Sequence, residues 1–426
     1  MNQQKKNLSD REVTEHTAAL WRYKAVPTKD KMPEPAPEQS EPGNHTIGKF
    51  QVVSARVRGK KHKHEGSNCD DWFQTENVDG IFISAVSDGA GSKKFSRIGA
   101  QEACKSAVFF VKINLERLLS KQPTFREDLA REMTDKAFSD AASLLANLVQ
   151  EAMLTAREAI VTAYESRRGY VHYTNVVGRE LQLNDFACTL LLTVAIPFDE
   201  TDEILVVACQ VGDGIIATMN TNETYDKALS LLGMPDSGKF SGETDFLTSS
   251  KFSFKENLIS RTKLSRKKID LIFSMTDGVA DDYDPNDVQL RRLYFDLLVN
   301  RVLSFPKNLT LSAEEKSSLK VPEPRAYPRI DASDSQELVP IQYTADLCDE
   351  FNWTLPQLWE NRKPLLVMAK KIPFNEKQSS SFRLREWLDN YTIRGSFDDR
   401  TLVILRKGGD DFGQDFQGNF DGRDGN

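Results

Sequence analysis

Residues 80–92 read GIFISAVSDGAGS, in which Ile81, Phe82, Ile83, Ala85 and Val86 form a near-continuous apolar run that stops at Asp88. A run of this kind is the pattern of a strand buried on both faces. It constrains the fold, because such a strand needs packing partners above and below it. It also ends in a glycine turn, Gly89 and Gly91, that carries a carboxylate. Residues 271–278, LIFSMTDG, repeat the arrangement and end at Asp277. Asp213 closes a third apolar run, and in SFDDRTLVIL Asp398 and Asp399 stand directly ahead of a strand.

Asp-Gly is a common turn pair, because Asp bonds its own backbone and Gly tolerates positive φ. The pair also occurs at Asp79-Gly80, Asp421-Gly422 and Asp424-Gly425, where a turn is a sufficient explanation. Asp88, Asp213 and Asp277 differ in ending apolar strands. Carboxylates delivered this way invite a shared metal ion.

With 426 residues, 39% of them hydrophobic, the chain can bury one large core or two smaller ones. A net charge of −7 speaks against general nucleic-acid affinity. Five cysteines without a C-x-x-C spacing suggest a reducing compartment rather than a disulfide framework or a zinc site. The apolar run at 190–196 is far short of the ~20 residues a membrane helix needs. The first ten residues lack the apolar stretch of a signal peptide. These features predict a soluble cytoplasmic protein with no nucleic-acid or membrane partner.

Taken in order, residues 1–46 read as an appendage, a short helix from Ser9 through Trp21 followed by a Pro- and Glu-rich linker at 32–43. Either a disordered leader or a docking helix on a tether fits. A strand is expected at 49–58, then the basic stretch RGKKHKH at 58–64, read as a solvated loop or as a positive approach to an anionic substrate. Apolar spacing predicts helices over 96–120 and 126–167, and strands over 185–196 and 203–211. A hairpin tipped by Asp213 should join the latter to 215–219. Another strand is expected at 269–275 and helical spacing at 288–305. Residues 307–340 read as a polar surface excursion, 351–372 and 381–391 as further helices, and 408–426 as a disordered acidic tail. Strands, helices and strands again argue for packed sheets covered by helices rather than a βαβ repeat.

The ordered set NCDDWF, AVSDGAGS, DFACTLLLTV, ACQVGDGI, FSMTDGV and FDDRTLVIL resembles the metal-dependent protein phosphatases of type 2C, most of all a bacterial branch of that family. The resemblance covers about 47–407 and implies an α+β fold, a four-layer α-β-β-α sandwich of two antiparallel sheets flanked by helices. It implies hydrolysis of phosphoserine and phosphothreonine in proteins at two Mg²⁺ or Mn²⁺ ions, with a third ion as a further element. A phosphoprotein substrate follows as partner, with a partner kinase as a further candidate.

Matched by motif, Asp88 is the carboxylate that bridges both ions, the Gly89 carbonyl a further ligand, and Asp277 and Asp398 ligands on one side. Asp213 matches the position that helps hold the third ion. Asp70 and Asp71 stand where the family has an acidic support, and Asp399 where many members carry Asn. Hard divalent cations prefer such oxygen ligands, and a pair of them activates a water and clamps phosphoryl oxygens. Two departures stand out: Gly66 where many relatives have a phosphate-binding Arg, and Ala90 where many have His. Arg58, Lys60, Lys61 and His62 are the candidate replacements, with His62 placed to contact phosphate or protonate the leaving oxygen. A rival reading is an inactive phosphatase-like scaffold or phosphoprotein-binding adaptor. The long segment at 284–380 between the last two motifs is expected to form a lid or partner surface near the site.

Overall fold

The computed structural model describes residues 21–40, 43–233, 244–306, 308–330, 338–373, 375, 377–390 and 397–408. The early strands are β1 (Gly43–Ile47), β2 (Phe50–Val57), β3 (Trp72–Val78) and β4 (Ile81–Ser87). After two long helices come β5 (Leu190–Phe198), β6 (Glu203–Val211), β7 (Ile215–Met219) and β8 (Leu229–Leu231). The remainder are β9 (Thr262–Lys267), β10 (Leu271–Met275), β11 (Arg325–Pro328), β12 (Leu338–Ile341) and β13 (Arg400–Lys407). One antiparallel sheet has the order β1-β2-β13-β10-β7-β8 and the other β3-β4-β5-β6-β9, while β11 and β12 pair separately.

The two sheets face each other through Val52, Phe82, Val86, Leu191, Ile216, Ile272 and Val403. Ile81, Ile83 and Ala85 point the other way from β4, into a core shared with the helices Ser96–Lys121 and Lys136–Arg167. Phe273, Leu402 and Ile404 do the same on the other sheet, against Leu293, Leu347, Leu365 and Leu384. Both faces of β4 and β10 are therefore dry, which is why neither run alternates with polar residues. The expected α-β-β-α sandwich is the architecture observed. The turn at Asp79-Gly80 also forms as read, with φ of 47° and 81°, joining β3 to β4 in register Val78↔Ile81.

Several expectations are corrected. β6 and β7 do not form a hairpin; they lie in different sheets, so the Asp213 loop crosses the sandwich. The helix expected over 126–167 is two, Phe125–Ala130 and Lys136–Arg167, the second begun by Asp135, whose side chain accepts from Ala137 N at 2.8 Å. The strand expected from 185 opens as a short 3-10 turn, Leu183–Phe186.

The Pro-rich stretch before β1 packs on the domain. Arg97 donates to the Pro33 and Glu34 carbonyls, and Arg167 donates two hydrogen bonds to the Glu34 carboxylate, at 2.6 and 2.8 Å. Residues 1–20 and 409–426, where an N-terminal helix and an acidic tail are expected, lie outside the described residues.

The segment after Asp284 is not chiefly a lid. Its helices, including Asn286–Val299, Thr344–Phe351, Leu355–Glu360, Lys363–Lys371 and Ser380–Asn390, form much of the outer layer on the β13–β10 sheet. Within the expected excursion, Val321 is buried in that layer and Lys371 donates to its carbonyl at 3.1 Å. Leu365 is fully buried there. Leu365→Ala should cost about 2–5 kcal/mol of stability, the range for a leucine cavity. Urea unfolding measures this, and a loss below about 0.5 kcal/mol, as expected at a surface position, would deny the segment its core role.

Candidate active site

Asp88, Asp213 and Asp277 come together at the end of the sandwich where β4 and β10 stop, and Asp398 precedes β13 at the same end. Asp88 follows β4 and is anchored by Thr189: its N–H donates to Thr189 Oγ1 at 2.9 Å, and its carbonyl accepts from Thr189 N at 2.8 Å. Gly89 next to it passes so close to the chain that a Cβ would lie 2.5 Å from the Asp70 carbonyl. Asp277 opens a one-turn helix, Asp277–Ala280, directly after β10. Asp213 enters from the loop between the sheets. One oxygen from each of Asp88, Asp213 and Asp277 lies within 4.8 Å of the others.

Asp71 knits the strand ends together beneath this group. Its Oδ2 accepts from Thr276 Oγ1 at 2.9 Å and from Thr401 Oγ1 at 2.7 Å, side chains at the end of β10 and the start of β13. Asp399 plays a similar part on the other side, accepting from Gly59 N at 2.7 Å and from Asp70 N. His62 Nδ1 lies 2.9 Å from Asp399 Oδ1, and His62 Nε2 3.8 Å from Asp398 Oδ1. His62, Asp70 and Asp399 form a second group with atoms within 4.8 Å of one another.

The carboxylates are crowded and largely shut off from water, and each raises its neighbours' pKa. Burial, then the neighbouring Asp277 and Asp71, hold the Asp88 carboxyl well above its ordinary range. Burial, Asp213 and Asp71 do the same to Asp277. Asp70 is pushed up to about 8, by burial and then Asp399, and Asp71 to about 7 from the same causes. Burial opposes a charge on His62, but Asp399, with Asp70 and Asp398, outweighs it and raises the imidazole to about 10. Asp71 Oδ1 and Asp213 Oδ1 are buried without a hydrogen-bond partner among the described residues. A donor set of carboxylate oxygens, some of them orphaned, fits hard divalent cations.

The basic stretch is not a solvated loop. It forms a helix, Lys60–Glu65, with Lys60, His62 and Lys63 buried. Arg58 is 1% exposed and donates to the Ser67 carbonyl at 2.9 Å and the Lys24 carbonyl at 2.6 Å, so it holds the chain rather than a substrate. Lys60 is likewise enclosed, its pKa driven down by burial and by Arg400 and Lys63. His62 is buried as well, but its Nε2 lies 3.8 Å from the Asp398 carboxylate. Lys61 is exposed, and a Cβ on Gly91, in the loop after Asp88, would be 4.0 Å from His62 Nε2.

Sequence reasoning missed Asp281, one helical turn beyond Asp277, whose carboxyl is raised by burial and by Asp213. The signal was present in VADDYD, four residues after the turn. It also missed Thr189, Thr276 and Thr401, whose roles depend on pairing between distant strands.

An α-β-β-α sandwich with a carboxylate cluster at one end defines a recognised class, and comparison with known proteins agrees. The family profile described as Protein phosphatase 2C matches residues 58–305, more than half of the chain. The chain belongs to the protein phosphatase 2C family, as its motifs suggested. The match ends before Asp398, which the fold brings to the site through the pairing of β13 with β10.

Among solved structures it is similar to a bacterial serine phosphatase (13% identity, 84% of this chain and 98% of that one, TM-score 0.33). It is also similar to RsbX in complex with magnesium (10%, 86% and 99%, 0.31) and to a phosphatase from Toxoplasma gondii (11%, 84% and 92%, 0.34). No curated protein sequence matches it.

Proposed function

We propose that this chain hydrolyses phosphoserine and phosphothreonine in proteins, using Mg²⁺ or Mn²⁺ held by Asp88, the Gly89 carbonyl, Asp277 and Asp398. The observation that carries the reading is the meeting of Asp88, Asp213 and Asp277 within 4.8 Å, from strands and a loop of both sheets. Asp213, with Asp281 beside it, would serve a third, weaker ion. The ions, when bound, supply the clamp on phosphoryl oxygens and the acidified water.

The chain's own residues do the rest. Thr189 fixes Asp88 by two backbone-linked bonds, and Asp71 locks the ends of β10 and β13, so the ligands start in place. Asp399 and Asp70 hold His62 charged beside Asp398, where its Nε2 can donate to a phosphoryl or leaving oxygen. Five free cysteines accord with a reducing, cytoplasmic setting.

Incubation with phosphothreonine peptides and Mn²⁺ tests the reading. Release of inorganic phosphate that a chelator stops is the expected result. Peptide binding without phosphate release would make the chain a scaffold instead.

His62→Gln separates proton donation from simple structure. On a phosphopeptide the rate should fall about 10²-fold, the range for a general acid. On an aryl phosphate whose leaving group needs no proton the loss should be much smaller. Equal losses on both would remove His62 from the proton-transfer role.

A further inference from the structure

The stretch before β1 reaches the candidate centre at Trp21. The Trp21 ring lies 4.8 Å from that of Phe397 and 5.7 Å, edge-on, from that of His64. Phe397 directly precedes Asp398, and its carbonyl accepts from Lys61 N at 2.9 Å. On the same helix, the Lys63 carbonyl accepts from Lys24 N at 2.8 Å and His64 Nδ1 from Arg22 N at 3.3 Å. One strap thus presses the helix that carries His62 against the residue that leads into Asp398.

Neither partner supports itself. Lys60–Glu65 is a six-residue helix begun at Gly59 with no side-chain cap. Helices of that length are unstable in water and stand only by tertiary contact. The Asp398 side chain is 47% exposed, and its Oδ1 accepts from Asp399 N at 3.0 Å with His62 Nε2 at 3.8 Å. A side chain so open depends on the backbone beneath it for its aim; Gly59 packs against the Asp398 carbonyl on one side, and Phe397, against Trp21, anchors the other.

We propose that Trp21 is a positioning residue of the centre. Wedged against Phe397 and His64, it sets the distance between His62 and Asp398 and the direction from which Asp398 meets a cation. The inference rests on the metal-dependent reading of the site. It adds that the strap, outside the matched family region, is part of the working centre.

The test uses the full chain with Trp21→Ala, Trp21→Phe and, as a control on the same strap, Met32→Ala. Met32 packs against the opposite core, under the helices Ser96–Lys121 and Lys136–Arg167. Mn²⁺ affinity is read by calorimetry, and kcat and KM on a phosphothreonine peptide. Trp21→Ala should lower kcat about tenfold and weaken Mn²⁺ severalfold, with KM within about twofold, since small misplacements cost rate before binding. Trp21→Phe should restore both. Met32→Ala should lower the thermal midpoint and leave both unchanged. Unchanged kcat and affinity in Trp21→Ala would overturn the proposal, as would equal losses in Met32→Ala. A wild-type protein that binds Mn²⁺ but releases no phosphate sinks the phosphatase reading alone; the affinity comparison then still decides the role of Trp21.

Discussion

Asp88→Asn is expected to lower phosphopeptide turnover by about 10³-fold, roughly 4 kcal/mol of transition-state stabilisation, because in the proposed mechanism it removes the carboxylate shared by both ions. The same change should do the reverse to the metal-free fold. Asp88 sits among Asp277, Asp71 and Asp398, and burial with that repulsion raises its pKa in the folded state. A carboxyl whose folded pKa is raised binds its proton more tightly when folded, so its ionisation destabilises the fold above the unfolded pKa near 4. At neutral pH in chelator, the neutral Asn should therefore hold or raise the urea midpoint, even as turnover measured with Mn²⁺ falls. A variant that loses stability in chelator and activity in parallel would mean that Asp88 is a structural residue. Near-normal turnover with metal still bound would exclude it as the bridging ligand.

The second large effect is expected at Asp399. Its carboxylate accepts from Gly59 N and Asp70 N and pairs with His62, so it ties the helix Lys60–Glu65 and the loop before β3 to the start of β13. An amide can replace only part of this, and removing one partner of a buried charge pair costs about 3–5 kcal/mol. Asp399→Asn should therefore be strongly destabilised and slow in turnover. Its pH signature is specific. His62 has a folded pKa of about 10, against 6.5 ordinarily, so its pairing stabilises the fold fully below the unfolded value and is lost as pH rises through about 10. In the metal-free wild type, stability should fall across that alkaline window. In Asp399→Asn the imidazole should titrate much nearer its ordinary value and that part of the fall should shrink. NMR titration of the His62 ring reads this directly; an unmoved pKa would deny Asp399 its hold on His62.

The parts of the fold that sequence made legible share one property: their meaning is local. β4 and β10 are buried on both faces, so their apolar runs are unbroken, and an Asp after such a run has few places to go but the sheet's end. Asp79-Gly80 is likewise decided by its own two residues. What stayed hidden depends on partners far along the chain. The stretch 58–64 looks like a solvated basic loop until Asp389 and Asp399, 326 and 340 residues away from Lys63 and Gly59, are seen beside it. The loop at Gly212–Gly214 reads as a hairpin because strand ends look alike whether the chain returns to its own sheet or crosses to the other. The Pro-rich stretch before β1 has the composition of a linker, yet its Pro33 and Glu34 carbonyls accept from the buried Arg97, and composition says nothing of carbonyls. Asp281 could have been found, since a carboxylate four residues after Asp277 shares its helical face.

Crystals grown with Mn²⁺ and measured at the manganese absorption edge test the central claim most directly. The account predicts two anomalous peaks roughly 3.5–4 Å apart, both in contact with Asp88, one of them also with Asp277 and Asp398. Anomalous density absent from this cluster at saturating Mn²⁺, or found only at other carboxylates, would contradict it.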